Sequence, residues 1–172
     1  MDQLVTMFIG WWESLAAYLA FDTALLAEPS MIVRIILQAG LLAASGFFSA
    51  SETALFSLSR LDLQKLRRER HPSSETIHEL LDQPRRLIIS ILCGNEVVIT
   101  AAVVNLTGIV VALYGVEKAG VLSVVVMSPL LLLFGEVTPK TVAISNPVRF
   151  SANLVARPLS LWVRLVTPLR WM

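Results

Sequence analysis

This sequence has little of what soluble metal and catalytic sites are usually built from. It contains one cysteine and two histidines in 172 residues. A single Cys93 excludes an internal disulfide and any multi-cysteine metal site. In its apolar setting it reads as a small buried hydrophobe rather than a nucleophile. His71 and His78 lack partner ligands at metal spacing and read as solvated side chains. The net charge is only +1, so no global field marks a nucleic-acid binder. Residues 1–28 contain no Lys or Arg. Without a positive leading segment, and with Asp2 and Glu13 in place, a cleavable signal is not expected. No enzymatic activity, catalytic residue or organic cofactor is expected either.

What the chain does have is apolar length. Hydrophobic residues make up 55% of it, against about 45–50% in an ordinary soluble domain, and the mean hydropathy is +0.70. Crossing a bilayer takes about 20 apolar residues, and three stretches qualify: 31–57, 87–113 and 120–143. The expected fold is an all-α integral membrane protein with three transmembrane helices, the third one broken. Residues 1–28, with Trp11 and Trp12, read as an interfacial amphipathic helix. A fourth span is the competing reading and would move the N-terminus to the other side. The connector 59–86 reads as an amphipathic helix and a second helix capped by Ser73 or Ser74. Residues 147–172, with Arg149, Arg157, Arg164 and Arg170, read as a juxtamembrane segment anchored by Trp162 and Trp171. Arg34 sits near the end of span one, where it can snorkel. The Asn105–Thr107 glycosylation sequon lies inside a span and is discounted.

Charge sets the orientation. Seven of the 14 Lys and Arg residues fall between Arg60 and Arg86, and most of the rest lie beyond Pro147. Positive-inside then places the N-terminus outside, the connector inside, the 114–118 turn outside and the C-terminus inside, at the cell membrane.

Within span three, Gly135-Glu136-Val137-Thr138-Pro139-Lys140 puts a carboxylate, a proline and an ammonium at the end of an apolar run. An ionisable group inside a span is costly and marks a functional site by default. Pro139 lacks an N–H, so in an α-helix the carbonyl of Gly135 loses its partner. That carbonyl and Glu136 offer two adjacent oxygen ligands. A structural reading of the same residues is a kinked helix with a Glu136–Lys140 pair at i,i+4. Span one carries Ser45, Ser49 and Glu52 on one face, where small-residue packing is the structural alternative. At 1.5 Å per residue, Ser49, Asn95 and Glu136 all lie roughly 12–13 Å from the inner membrane end. Hydroxyl, amide, carboxylate and carbonyl oxygens suit a hard cation such as Mg²⁺, Ca²⁺ or Na⁺.

These motifs, Phe47-Phe48-Ser49-Ala50-Ser51-Glu52-Thr53-Ala54-Leu55, then Gly94-Asn95-Glu96, then Gly135 to Lys140, resemble in order and spacing the transmembrane domain of the CorC/cyclin-M (CNNM) magnesium transporters. The resemblance covers roughly residues 31–147. It implies a homodimer in which each protomer binds Mg²⁺ among three spans and exports it, with Na⁺ as a candidate exchange ion. Carried over by motif, the ligands are Ser45, Ser49, Asn95, the Gly135 carbonyl and Glu136, with Pro139 and Lys140 supporting the break. In the family a nucleotide-binding CBS-pair domain follows. None lies within these residues, so nucleotide regulation is not assigned to this chain. Two alternatives stand beside this reading: a proton- or Na⁺-coupled exchanger of another cation, and a membrane scaffold for a regulatory domain.

The orientation is testable in a Cys93-free background. A cysteine placed in the 114–118 turn is expected to react with an impermeant maleimide from outside, and one in the connector only from inside. The opposite pattern overturns the charge argument.

Overall fold

The computed structural model describes residues 23–166; the predicted interfacial helix, with Trp11 and Trp12, and the Trp171 anchor lie outside them for all but the short 3-10 turn Thr23–Ala27. Eight α-helices follow: α1 (Pro29–Phe56), α2 (Arg60–Arg68), α3 (Ser74–Asp82), α4 (Pro84–Tyr114), α5 (Val116–Leu130), α6 (Thr138–Ser145), α7 (Pro147–Phe150) and α8 (Ala156–Val166). Two π-helical stretches, Leu131–Val137 and Ser151–Val155, join α5 to α6 and α7 to α8. Among the described residues there is no strand. Three continuous helical rods, Pro29–Phe56, Pro84–Tyr114 and Val116–Ser145, are long and apolar enough to cross a membrane.

Each rod begins or ends where local chemistry dictates. Pro29 and Pro84 stand at the first helical positions of α1 and α4, where a missing N–H costs nothing and the fixed φ favours the helix. This is why both spans start earlier than hydropathy suggests. The 114–118 turn contracts to Gly115, whose φ of 80° is a backbone conformation that glycine adopts cheaply. Its N–H still bonds the Val111 carbonyl, closing α4, and α5 starts at once with Val116. The predicted break in span three is a change of helical pitch between Pro129 and Pro139 rather than an interruption.

The spans expose their apolar side chains outward. Val33, Ile36, Val97, Val104, Val121, Val124 and Ile144 are all exposed, as lipid-facing residues must be when the bilayer is the solvent. Cys93 is exposed too, which corrects its reading as a buried side chain: it faces out of the bundle. Contacts between α1 and α4 hold the centre, and the rod of span three packs mainly on α1.

At the connector end a second core forms. Phe48, Leu55, Leu66, Ile77, Leu80, Leu87, Ile91, Val155 and Leu159 pack together, so α2, α3 and α8 close over the ends of α1 and α4. Helix α2 starts in a capping box: the Ser59 Oγ accepts from the Asp62 N–H at 3.1 Å and Asp62 accepts from the Ser59 N–H at 3.0 Å. Hydrogen bonds from the Ser59 hydroxyl and then its N–H hold the Asp62 carboxyl below its usual value. Ser73 precedes α3 but does not cap it; its Oγ donates instead to the Ala152 carbonyl at 2.6 Å. That bond puts the C-terminal segment on the connector side, as the sequence suggested.

Trp162, read from sequence as an interfacial anchor, is half-buried and also packs into this core. Its Nε1–H donates to the Ser90 carbonyl at 2.8 Å, and its ring meets Phe48 edge-on with centroids 5.4 Å apart. The indole N–H finds its partner in this core, as a part-buried tryptophan requires. Gly94 makes room: a Cβ at this position would stand 2.6 Å from Phe48 Cζ and 2.8 Å from Trp162 Nε1. Gly94→Ala is therefore expected to destabilise the protein by about 1–3 kcal/mol, read as a lowered midpoint of thermal unfolding in detergent. An unchanged midpoint would mean that the aromatic pair moves aside freely.

Candidate cation site between the three spans

Span one reaches span three through a face of small residues. A Cβ on Gly46 would stand 2.9 Å from the Phe134 carbonyl oxygen and 2.9 Å from Pro139 Cγ. One residue earlier, Ser45 is 1% exposed and its Oγ lies 3.1 Å from where a Gly135 Cβ would be. The two glycines thus let backbone meet backbone, and they bring the Ser45 hydroxyl onto span three. From the other side, Ser45 Oγ–H donates to Asn95 Oδ1 at 2.9 Å. Hydroxyl, amide and glycine backbone from three different spans therefore meet at one point.

Ser49 lies one turn further along the same face of α1, 3% exposed. Its Oγ is buried and has no hydrogen-bond partner among the described residues. A buried hydroxyl without a partner costs roughly 1–3 kcal/mol, and the fold carries such an oxygen here among the described residues. Its backbone carbonyl accepts from Thr53 Oγ1 at 3.2 Å, and Ser51 Oγ donates to the Phe47 carbonyl at 2.6 Å. Those two hydroxyls are spent on their own helix. Ser45 and Ser49 are the ones turned to the neighbouring spans.

The π-helical stretch alters the carbonyl supply. The Thr138 N–H bonds the Leu133 carbonyl, an i→i+5 pairing. Continued by one residue, that pairing would take the Phe134 carbonyl to Pro139, which has no N–H to give. In an α-helix the deprived carbonyl would be Gly135, as the sequence suggested; in this pitch the residue facing Pro139 is Phe134 instead, and the Phe134 oxygen is the one beside Gly46. π-Bulges of this kind recur at functional sites because they re-aim backbone groups without ending the helix.

Glu136 is adjacent to this point in sequence but its side chain is 56% exposed, and its Oε1 accepts from Lys140 Nζ at 3.3 Å. The geometry thus gathers Ser45, Asn95 and Gly135, keeps Ser49 one turn along the same helix face, and leaves the Glu136 carboxylate exposed in an ion pair with Lys140. Glu52 is half-buried and Glu96 exposed; neither has a salt-bridge or hydrogen-bond partner among the described residues. No three His, Cys, Asp or Glu side chains gather among the described residues, so the donor set is one of hydroxyl, amide and carbonyl oxygens with a carboxylate at the edge. Such a set fits a hard cation.

Two residues that sequence reasoning passed over complete the polar interior. Gln38, 6% exposed, accepts through Oε1 from Asn105 Nδ2 at 2.9 Å. Asn105 had been visible only as a discounted sequon. The signal that could have found the pair is an amide in each of two neighbouring spans, since amides inside a membrane seek each other.

An all-α membrane domain with three spans, juxtamembrane helices and a π-bulged third span defines the class. Within it the chain belongs to the cyclin M family: the profile of the cyclin M (CNNM) transmembrane N-terminal domain matches residues 36–172. The inner membrane protein YfjD of Escherichia coli, a UPF0053 protein, is 34% identical over 131 residues, covering 74% of this chain and 29% of its own length. A chloroplastic DUF21 domain-containing protein of Arabidopsis thaliana is 32% identical over 145 residues, covering 81% of the chain and 21% of itself. A UPF0053 protein of Haemophilus influenzae is 33% identical over 126 residues, covering 71% and 30%. The chain therefore spans less than a third of the length of each of these relatives.

The orphaned hydroxyl gives a direct test. Ser49→Ala removes a buried unsatisfied oxygen, so in cation-free buffer the variant is expected to be as stable as the parent or more so, by about 1 kcal/mol. A clear loss of stability, measured by thermal unfolding, would show that Ser49 Oγ is holding the helices together.

Proposed function

We propose that this domain carries Mg²⁺ across the cell membrane, outward, through the site formed by Ser45, Ser49, Asn95, the Gly135 carbonyl and Glu136, with Na⁺ as the candidate exchange ion. The observation that carries the reading is the meeting of Ser45, Asn95 and Gly135 from three spans, one turn of α1 from the buried Ser49 hydroxyl that has no partner among the described residues. The membership in the cyclin M family supports it. Neutral oxygens replace water on the ion, and Glu136 supplies charge. Lys140 competes with the cation for that carboxylate: while no cation is bound it neutralises Glu136, and on binding it is released toward the aqueous end. One carboxylate cannot neutralise a divalent ion, which keeps binding weak enough for the ion to leave.

In this reading the connector and C-terminus face the cytoplasm, and the chain works as a homodimer in the lipid bilayer, with no nucleic acid partner. A cytosolic CBS-pair domain following this segment is the expected regulatory partner.

Glu136→Gln keeps the shape and removes the charge. Mg²⁺ affinity is expected to fall about tenfold or more, given that each 1.4 kcal/mol is tenfold, while Asn95→Ala weakens binding with the fold intact. Isothermal titration of the purified protein measures both. Binding unchanged in either variant removes that residue from the site, and unchanged binding in both refutes it. Flux that depends on pH at fixed Mg²⁺ would instead favour proton coupling, and a protein that binds no divalent ion would leave the scaffold reading. Pro139→Ala is a separate check: it restores an N–H for the Gly135 or Phe134 carbonyl, so thermal stability is expected to hold or rise while Mg²⁺ affinity drops.

A further inference from the structure

The connector end of the bundle holds a small cavity that the cation site does not use. It measures about 120 Å³ and is walled by Glu79, Gln83, Arg86, Ser160 and Arg164, with the buried Leu80 and Leu87 beside them. Helices α3, α4 and α8 each supply part of the wall. A groove of about 470 Å³, lined by Pro84, Arg85 and Ile89, shares Gln83 and Arg86 with the cavity, so the two adjoin. Arg85, Ile89 and Leu92 recur at i, i+4, i+7 on α4 and share one face, and all three are exposed. Arg86 precedes Asn95 by nine residues, about 14 Å along the helix.

The level of this cavity in the membrane follows from helix length. Helix α4 has 31 residues, about 46 Å at 1.5 Å per residue, against about 30 Å of hydrocarbon. Its first residues, Pro84 to Arg86, therefore stand among the headgroups, and Ile89 and Leu92 face the acyl chains below. Cations are in excess here: Arg85, Arg86 and Arg164 stand against Glu79. Arg85, Arg164 and Glu79 have no salt bridge among the described residues.

Two features separate this cluster from arginines that merely snorkel. Arg86 is half-buried and held in place: its Nη1 donates to Gln83 Oε1 at 2.9 Å, and its carbonyl accepts from Ser90 Oγ at 2.9 Å. Guanidinia from two different helices also line one cavity. The Ser160 hydroxyl is turned to the Arg157 carbonyl at 2.9 Å, so guanidinium N–H groups are the main donors left at the cavity. Such planar donors bind phosphate oxygens bidentately. Basic pockets at helix ends take lipid headgroups for this reason.

We infer that the cavity and its groove form a site for one anionic phospholipid. The phosphate sits between Arg86 and Arg164, Arg85 stands at the rim, and an acyl chain runs along the Ile89–Leu92 face of α4. The adjoining apolar groove is what favours a lipid over a free phosphate. Glu79 lowers the positive charge and keeps the lipid exchangeable. Bound there, the lipid joins α8 to α4 beside the bond from Trp162 to Ser90. The inference stands on these residues and does not depend on the transport reading.

The test uses the purified, delipidated chain in mild detergent. Phosphatidylglycerol is expected to raise the midpoint of thermal unfolding and to stay bound at one per chain in native mass spectrometry. Phosphatidylethanolamine with the same acyl chains is expected to do neither. Arg86→Gln and Arg164→Gln are each expected to weaken phosphatidylglycerol retention about tenfold, and Glu79→Gln to tighten it. If Arg86→Gln does not accumulate, Arg164→Gln, which alters an exposed side chain, carries the same expectation. Its midpoint without lipid is expected to match the parent, so that only the lipid-induced rise is lost. The double variant Arg67→Gln/Arg70→Gln, elsewhere on the connector, is expected to retain the lipid as the parent does. An equal loss in that variant overturns the site, since the attraction would belong to the charged connector as a whole. Equal retention of the two lipids overturns it as well. Glycerol phosphate that binds as tightly as phosphatidylglycerol overturns the lipid assignment, because the groove would then contribute nothing.

Discussion

The close approach of spans one and three at Gly46 is the constraint on which the rest of the structure depends. A carbonyl oxygen and a proline ring both stand 2.9 Å from where a side chain would begin. In water such an approach would be driven by burying apolar area. In a bilayer, where lipid is as apolar as leucine, helices associate through close packing and interhelical hydrogen bonds instead. The small-residue face of α1 provides the packing. The π-bulge then matters because it turns backbone oxygens toward that face, and the serines on either side of Gly46 meet whatever the bulge presents.

The polar interior shows a division of labour among residues of the same type. Ser51, Thr53 and Ser90 return their hydroxyls to carbonyls of their own helices, which satisfies them and takes them out of use. Ser45, Gln38 and Asn105 bond across spans. Ser49 does neither. In a low-dielectric interior each such choice has consequences of about a kcal/mol or more, so the pattern separates groups that stabilise a helix from groups that join helices and from those, Ser49, Ser123 and Ser151, whose hydroxyls are buried without a partner among the described residues.

Much of this was legible in the sequence, for identifiable reasons. The spans were visible because about 20 apolar residues in a row have few other uses; helix rise brought Ser49, Asn95 and Glu136 to one depth, whereas Ser45, which meets Asn95 and Gly135 in the structure, entered only through the family resemblance. The pitch change was half legible. Pro129 and Pro139 mark a helix under stress, yet proline alone does not say whether a helix kinks, breaks or adds a residue per turn. The Trp162 packing was not legible, because an amphipathic aromatic shows its core contacts only once its N–H partner, the Ser90 carbonyl, is known. The Glu136–Lys140 pair was legible as one of two readings, since i,i+4 spacing permits it; which of the two the carboxylate takes, inward or toward Lys140, is a rotamer choice that sequence does not carry. The Gln38–Asn105 pair escaped because it depends on the register between α1 and α4, which no local pattern encodes.

Trp162 has a mechanical consequence. Helix α8 holds the span-two backbone at Ser90 by a hydrogen bond and presses its indole against Gly94, the residue before Asn95. The Ser73–Ala152 bond braces the other end of the same segment against the connector. A load applied at the C-terminal end of α8 is therefore not absorbed by a slack tether. It arrives, through a rigid ring and a stiff helix, at the peptide unit that carries the Asn95 amide.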